Sequence, residues 1–457
     1  MSVELVVEIP SKRTNRTDYL QKLTISGYKS ITKPTTIALG GLTVLAGVNS
    51  GGKSSLIQPL LLLKQTIEAT HDPGPLKIDG PNVRFSELDQ FFSKSKKKAL
   101  GLLSFDLEFT ARKEGFTFSA DKRILKLENN RIEANGESLV LVGESSTISE
   151  LIKITEPLFQ RQWDEKEAII GNDQKIDLKR NRAVFNPTLS LPRTGHSISS
   201  DLRVLIYFSG DEIGKLSLQW VRNLIHVPGL RGVPMRGYPV SGVGSNFPGR
   251  FEDYTASVIK RWQDDKDSRV QMVSDALETL GLTWKVSTVD IDGATVDIRI
   301  GRLPKESKGS KDDLVSIADV GFGVSQVMPV VVALFAAQPG QAVYIEQPEI
   351  HLHPRAQMAL AGLLVDAANR DVQVIVETHS ALLLTSLQTL IAQQKIDAAD
   401  VKLHWVSRDA SGSSMVTTAE LDADGAYGDW PVDFDETADE ATTNYLNATV
   451  FKATASK

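Results

Sequence analysis

The sequence predicts an α/β protein: a mixed sheet flanked by helices, with an antiparallel β lobe and a helical/loop insertion. Three observations carry that expectation. A complete G-x-x-x-x-G-K-S run, Gly47 to Ser54, stands between an apolar strand and a helix. A second apolar strand, Val343 to Ile345, runs into Glu346, Gln347, Pro348 and Glu349, and a third, Val372 to Val376, runs into Glu377, Thr378, His379 and Ser380. In an open parallel sheet such strand ends line one crevice, the place where ligands bind.

Leu23 to Tyr28 and Thr35 to Leu39 read as paired strands leading into the buried strand Leu42 to Ala46, so residues 1–80 are expected to form the first half of a nucleotide-binding sheet. After that strand the glycines let the backbone curl, so that successive N–H groups point inward and end on a helix N-terminus, a cradle for phosphate oxygens. Gly47, Asn49, Ser50, Gly51, Gly52, Lys53, Ser54 and Ser55 are therefore candidate contacts of a nucleoside triphosphate. Lys53 can reach the outer phosphates and the Ser54 hydroxyl can hold a magnesium ion. Pro59 is expected to kink the new helix in its second turn.

Residues 81–150 change to short alternating runs, Phe105 to Phe109, Phe116 to Phe118, Ile124 to Leu127 and Leu139 to Val142, the pattern of a half-solvated antiparallel β lobe. The basic run Lys94 to Lys98 reads as a solvated loop rather than a nucleic-acid contact. Residues 151–310 mix helical stretches with a Gly/Pro-rich segment, His226 to Tyr238, expected to be mostly loop. Ile291 to Gly301 is strand-like, and Lys305 to Asp313 is a polar connector.

Residues 311–420 return to α/β, with helices from about Val324 and over Gln357 to Ala368, and a closing strand pair at Lys402 to Ser407 and Ser413 to Ala419. Asp319 to Gln326 places two glycines and a serine at the start of the first helix, a second anion-binding N-terminus that a neighbouring subunit could use. Glu346 is the candidate for holding the magnesium hydration shell. His379, just beyond its strand, can hydrogen-bond a terminal phosphate or the attacking water, because neutral imidazole offers a donor and an acceptor. His351 and His353 form an H-x-H pair, but Pro354 points to a loop rather than to a metal site. Residues 421–457 are read as a tail. Neither a repeat nor a heptad run is present, so long coiled-coil arms are not expected.

The 457 residues exceed one ordinary core, and zero cysteines exclude disulfides and cysteine-ligated metal centres. A net charge of −6 with pI near 5.8 argues against coating nucleic acid by bulk charge. Met1 to Pro10 carries charges within its apolar stretch, unlike a signal peptide, and no uncharged run approaches a membrane span. A cytoplasmic, membrane-free protein is expected.

Gly47 to Ser54, Gly321 to Gln326, Ile345 to Pro354 and Val376 to Ser380, in this order, resemble the ABC-type ATPase heads of the SMC, RecF and OLD group. Among these the chain is most similar to the bacterial predicted ATPases of phage-defence systems, such as PARIS- or Septu-like ATPase subunits. The similarity covers residues 21–70 and 315–410, with looser likeness at Gly229 to Tyr238 and Gly425 to Phe434. It implies a P-loop NTPase of ABC-ATPase type that takes ATP and Mg2+. It further implies that two copies meet head to head, the signature helix of one, with Gly323, Ser325 and Gln326, capping the γ-phosphate held by the loop of the other. Glu346 and Ser54 then serve the metal, His379 is the switch histidine, and Gln90 is the candidate for the glutamine that usually joins the metal shell. The usual catalytic glutamate position holds Gln347, which cannot act as a general base, so Glu349 in the following turn is the alternative.

The resulting expectation is an ATP-hydrolysing, head-to-head dimer or higher oligomer that controls a separate effector protein, such as a nuclease, in anti-phage defence, triggered by DNA or a phage protein. OLD proteins carry a Toprim nuclease after the head, but only 53 residues follow His404, so the effector is expected on another chain. The alternatives are a non-hydrolysing nucleotide-gated scaffold, motivated by Gln347, and a RecF-like DNA-repair ATPase. A GTP-dependent housekeeping protein is disfavoured by the lack of an Asn-Lys-x-Asp motif.

Overall fold

The computed structural model describes residues 19–95, 98–99, 101–121, 124–134, 137–142, 145–147, 175–181, 184–189, 212–303 and 313–427. The side chains of Lys94 to Lys98, most of the connector Lys305 to Asp313 and the end of the tail lie outside these residues.

β1 (Leu20–Ser26) and β2 (Thr35–Ala38) pair antiparallel, with Leu23 opposite Ile37. β3 (Leu42–Gly47) then crosses to another sheet and enters the helix Lys53–Ile67. A two-stranded ribbon, β4 (Lys94–Ser95) and β5 (Lys98–Ala99), precedes the strands β6 (Leu102–Phe109), β7 (Arg112–Asp121), β8 (Ile124–Ala134) and β9 (Glu137–Val142). The strand order β2-β1-β6-β7-β8-β9 puts β1 and β2 in the antiparallel lobe, not in the nucleotide-binding sheet as their sequence position suggested. The physical reason is their pattern: β1 alternates buried and exposed side chains, as a half-solvated strand must, whereas β3 is buried at every residue. β10 (Ser145–Thr147), β11 (Lys175–Asn181) and β12 (Val184–Leu189) make a separate three-stranded sheet.

After the helix Glu212–Asn223 the chain forms β13 (Ile225–Val227) and β14 (Tyr238–Pro239), then the helices Thr255–Asp264 and Arg269–Thr279. β15 (Val286–Asp290), β16 (Thr295–Gly301) and β17 (Leu314–Ser316) extend a small antiparallel sheet with β14. The second half of the main sheet follows. Helix Phe322–Ala336 leads to β18 (Ala342–Glu346), helix Pro354–Asn369 to β19 (Gln373–Thr378), and helix Ala381–Ala392 to β20 (Val401–Arg408) and β21 (Ser414–Ala419).

The main sheet, β13-β18-β19-β3-β20-β21, is parallel except at β21 and separates two cores. The two-residue period of a strand sorts the side chains. Val44, Ala46, Val343, Ile345, Val374 and Val376 pack against the later helices. Leu45, Tyr344 and Ile375 pack on the other side, with the helix Lys53–Ile67 and the phenylalanines of the lobe. Pro59 lies buried inside that helix without ending it, so the helix still spans fifteen residues.

Glu114 in β7 is buried in the lobe, where Asn130 Nδ2 donates to its Oε1 at 3.3 Å. Burial pushes its pKa from 4.5 up to about 7, against the pull of Asn130, Ser217 and Arg112. A folded pKa above the unfolded one means that the stability is present below the unfolded value and is lost as pH rises through the folded value. A shift of this size corresponds to ~3 kcal/mol. Glu114→Gln is therefore expected to stabilise the protein by ~1–3 kcal/mol at pH 8 and by little at pH 5. Urea denaturation at the two pH values reads the difference, and an equal effect at both contradicts it.

Candidate functional site

The carboxyl ends of β13, β18, β19 and β3 lie at one edge of the sheet, where the register sets Glu346 opposite Glu377 and Thr378 opposite Ala46. The loop after β3 takes the shape its glycines permit. Gly47 has φ 144° and Gly52 φ 112°, and a Cβ there would lie 2.1 Å from the Val406 carbonyl oxygen and 2.2 Å from Ser414 Oγ. Neither position tolerates a side chain. The hairpin of β20 and β21 braces the loop from outside, with Ser414 Oγ donating to the Gly51 carbonyl at 2.7 Å.

No side chain caps the helix that begins at Lys53, and its first turn holds no acidic residue. Its N–H groups and positive dipole end are thus left for an anion. Lys53 Nζ donates to the Gly47 and Val48 carbonyls, 3.0 Å each, which folds the ammonium over the loop. Burial lowers its pKa, while Glu377 and Glu349 raise it. Asn49 and Ser50 are exposed, Gly51 and Ser55 are buried, and Ser54 is half-buried.

Ser54 Oγ donates to Glu377 Oε2 at 2.8 Å. Glu377 is buried, and Tyr344 Oη donates a short bond to its other oxygen. Burial first, and Glu346 second, push the Glu377 pKa up to about 7, against the pull of Tyr344, Ser54 and Lys53. Glu346 is held differently: His226 Nε2 lies 3.1 Å from Oε1, and the Gly229 N–H donates to Oε2 at 3.0 Å. Burial raises its pKa, but the His226 and Gly229 contacts outweigh burial and hold the carboxyl below the ordinary range.

Gln347 sits at φ 43°, a left-handed conformation that turns the chain sharply after β18 and brings Glu349 back toward the loop. Glu349 is buried, and its Oε1 accepts the His379 N–H at 2.7 Å. Burial raises its pKa, while the His379 N–H and Arg231 lower it. His379 itself has a pKa lowered by burial and then by Lys53, so its ring is neutral at pH 7, and a bond to the Gly47 backbone pulls the other way. Lys53, Glu349 and His379 therefore form one electrostatically coupled group beside the loop. A carboxylate with a raised pKa next to an ammonium and a neutral imidazole can take and pass on a proton near neutral pH.

Three residues at this site have no role in the sequence reading. His226 belongs to β13, a three-residue parallel strand at the start of the segment expected to be loop. Arg231 is buried and donates to four carbonyls: Pro228 at 3.0 Å, Gln326 at 2.7 Å, Glu346 at 2.9 Å and Gln347 at 3.1 Å. Burial lowers its pKa to about 10. It ties the end of β18 to the helix that begins at Phe322. Glu377 is the third: its strand repeats the pattern of an apolar run ending in a carboxylate, but that pattern alone does not say which of the two acids meets Ser54.

Other expected residues lie elsewhere. Gln90 is exposed, and its amide is taken in both directions by Ser86, accepting from the backbone N–H at 3.1 Å and donating to the hydroxyl at 2.8 Å. Gln326 is buried and donates to the Gly232 carbonyl, so it serves the Arg231 segment rather than an open surface. Ser325 is half-buried and donates to the Phe322 carbonyl within its own helix, and a Cβ at Gly323 would meet the His351 carbonyl at 3.2 Å. Phe322 at that helix start is 52% exposed. Among the described residues no group of three or more His, Asp or Glu could hold a metal; His353 instead caps the helix Pro354–Asn369. No described helix is long and apolar enough to cross a membrane.

A family model described as "AAA domain, putative AbiEii toxin, Type IV TA system" matches residues 42–385. No curated protein matches the chain. Among solved structures, an SMC head bound to the C-terminal winged-helix domain of ScpA is 14% identical, with TM-score 0.47, covering 88% of this chain and 98% of that one. The SMC head domain of Thermotoga maritima is 13% identical, with TM-score 0.38 and coverage of 88% and 99%. An Smc head with an extended coiled coil, bound to the C-terminal domain of ScpA and derived from Pyrococcus furiosus, is 14% identical, with TM-score 0.44 and coverage of 88% and 97%.

Proposed function

The chain belongs to the family described as "AAA domain, putative AbiEii toxin, Type IV TA system", and from that premise we propose that it binds and hydrolyses ATP between two copies and thereby controls a separate effector protein in anti-phage defence. The observation that carries the reading is the meeting of Lys53, Ser54, Glu349 and His379 at the uncapped N-terminus of one helix. The donor set fits a magnesium nucleotide: a glycine cradle, an ammonium, a hydroxyl and two strand-end carboxylates. Magnesium, when bound, neutralises phosphate charge. Ser54 would hold it, beside the carboxylates at the strand ends.

The remaining steps belong to the chain's own residues. The backbone N–H groups and Lys53 fix the phosphates and stabilise charge that grows on them. Glu349 accepts the proton of the attacking water, because Gln347 cannot, and its raised pKa brings it nearer the working pH. His379, neutral and close to Lys53, donates to the terminal phosphate. Ser325, at a helix start with an exposed Phe322, contacts the nucleotide of the second copy.

The test is expression of the tagged chain from its native operon, with co-purifying proteins identified with and without ATP. A partner gained or lost on adding ATP, together with phage resistance that disappears in Lys53→Ala, supports the reading. No nucleotide-dependent partner, with resistance unchanged, contradicts it.

A further inference from the structure

We propose that Glu377, which the sequence places in the Val376 to Ser380 motif without a role, is the carboxylate that orients the Ser54 hydroxyl and supports the magnesium ion of the nucleotide. The inference rests on the reading that the loop binds magnesium nucleotide, and it changes which strand supplies the acidic partner. A serine hydroxyl that offers a lone pair to a cation must give its proton to something else. Ser54 gives it to Glu377 Oε2 at 2.8 Å.

Glu346, the residue expected in this part, is engaged elsewhere, with one oxygen on His226 and the other on the Gly229 N–H. The sheet order supplies the reason. β19 lies between β18 and β3, so Glu377 stands one strand nearer to the phosphate loop than Glu346 does. The two carboxylates face each other in register across β18 and β19. Tyr344 Oη donates to Glu377 from within β18, which fixes the Glu377 carboxylate in place. Glu377 is buried and Glu346 half-buried, and carboxylates side by side repel each other unless a proton or a cation lies with them. A magnesium ion beside Ser54 meets that need, and Glu346 then holds the Gly229 segment while Glu377 faces the ion.

Binding of N-methylanthraniloyl-ATP, followed by fluorescence, tests this with Mg2+ and with EDTA, independently of turnover. The wild type is expected to bind more tightly with Mg2+. Glu377→Gln is expected to keep its affinity in EDTA and to lose ~10–100-fold in apparent Mg2+ affinity, the range seen when a carboxylate that orients a metal ligand is removed. Glu346→Gln is expected to lose less. Because Glu377 acts through Ser54, adding Glu377→Gln to Ser54→Ala is expected to cost little beyond Ser54→Ala alone. Glutamine at 377 also ends the carboxylate repulsion, so thermal unfolding should confirm a folded protein; Glu377→Asp, which keeps the charge on a shorter stem, gives a second variant with an intermediate loss. If the wild type binds no nucleotide, or binds it with no Mg2+ effect, the ATPase reading falls and this inference with it. If the wild type responds to Mg2+ and Glu377→Gln responds equally, whatever Glu346→Gln does, only the assignment of Glu377 is overturned.

Discussion

Lys53→Ala is expected to abolish ATP turnover and to weaken nucleotide binding strongly, with the fold unchanged. The Lys53 ammonium donates to the Gly47 and Val48 carbonyls, which neighbouring backbone holds in place, so its removal takes away the cation that phosphate would meet. Contacts to charged groups contribute ~1.5–3 kcal/mol each, and ~1.4 kcal/mol is a factor of ten in affinity. A loss of ~10–100-fold in ATP affinity follows. Turnover should fall further, because charge grows on the phosphates in the transition state. Fluorescent-nucleotide titration and phosphate release read the two effects separately. Equal ATP affinity in the variant and the wild type contradicts the placement of the triphosphate on this loop.

Glu349→Gln is expected to do the opposite: to leave ATP binding nearly intact and to lower kcat by ~10²–10⁴-fold, the usual contribution of a general base. Glutamine keeps an oxygen that can accept the His379 N–H, so the local geometry survives. What is lost is the ability to take a proton. Burial raises the Glu349 pKa, so the wild-type rate should rise with pH through a limb that lies above the ordinary carboxylate range. In Glu349→Gln that limb should vanish. Turnover that survives in Glu349→Gln and is lost in Gln347→Ala moves water activation back to position 347, and a protein that binds ATP without any turnover, wild type included, is the nucleotide-gated scaffold.

The parts of the site that could be read from the sequence are those whose chemistry is contiguous in the chain. The loop after β3 is legible because its glycines answer a local backbone demand, met at Gly47 and Gly52. β3, β18 and β19 are legible because a strand buried on both faces is a continuous apolar run. β13 was hidden because three residues carry no periodicity, and prolines and glycines follow it closely. The membership of β1 in the lobe was hidden because its partner β6 lies far along the chain, and pairing across such a distance leaves only a weak trace in either strand. The role of Glu377 is hidden for a related reason. The order β18-β19-β3 decides which acid faces Ser54, and strand order is a property of the folded sheet. Gln90 and Gln326 carried the residue type expected of ligands, yet Ser86 and Gly232 take up their amides.

The sharing of each nucleotide between two copies is tested most directly by mixing two inactive variants. Lys53→Ala removes the loop lysine, and Ser325→Arg blocks the exposed helix start that is assigned to the partner's nucleotide. In a head-to-head pair of the two variants, one composite site keeps both Lys53 from one copy and Ser325 from the other. Phosphate release by the equimolar mixture is therefore expected to recover to roughly a quarter of the wild-type rate, since about half of random pairs are mixed and each has one intact site of two. A mixture as inactive as its components, with each variant folded and the wild type active, contradicts the shared site.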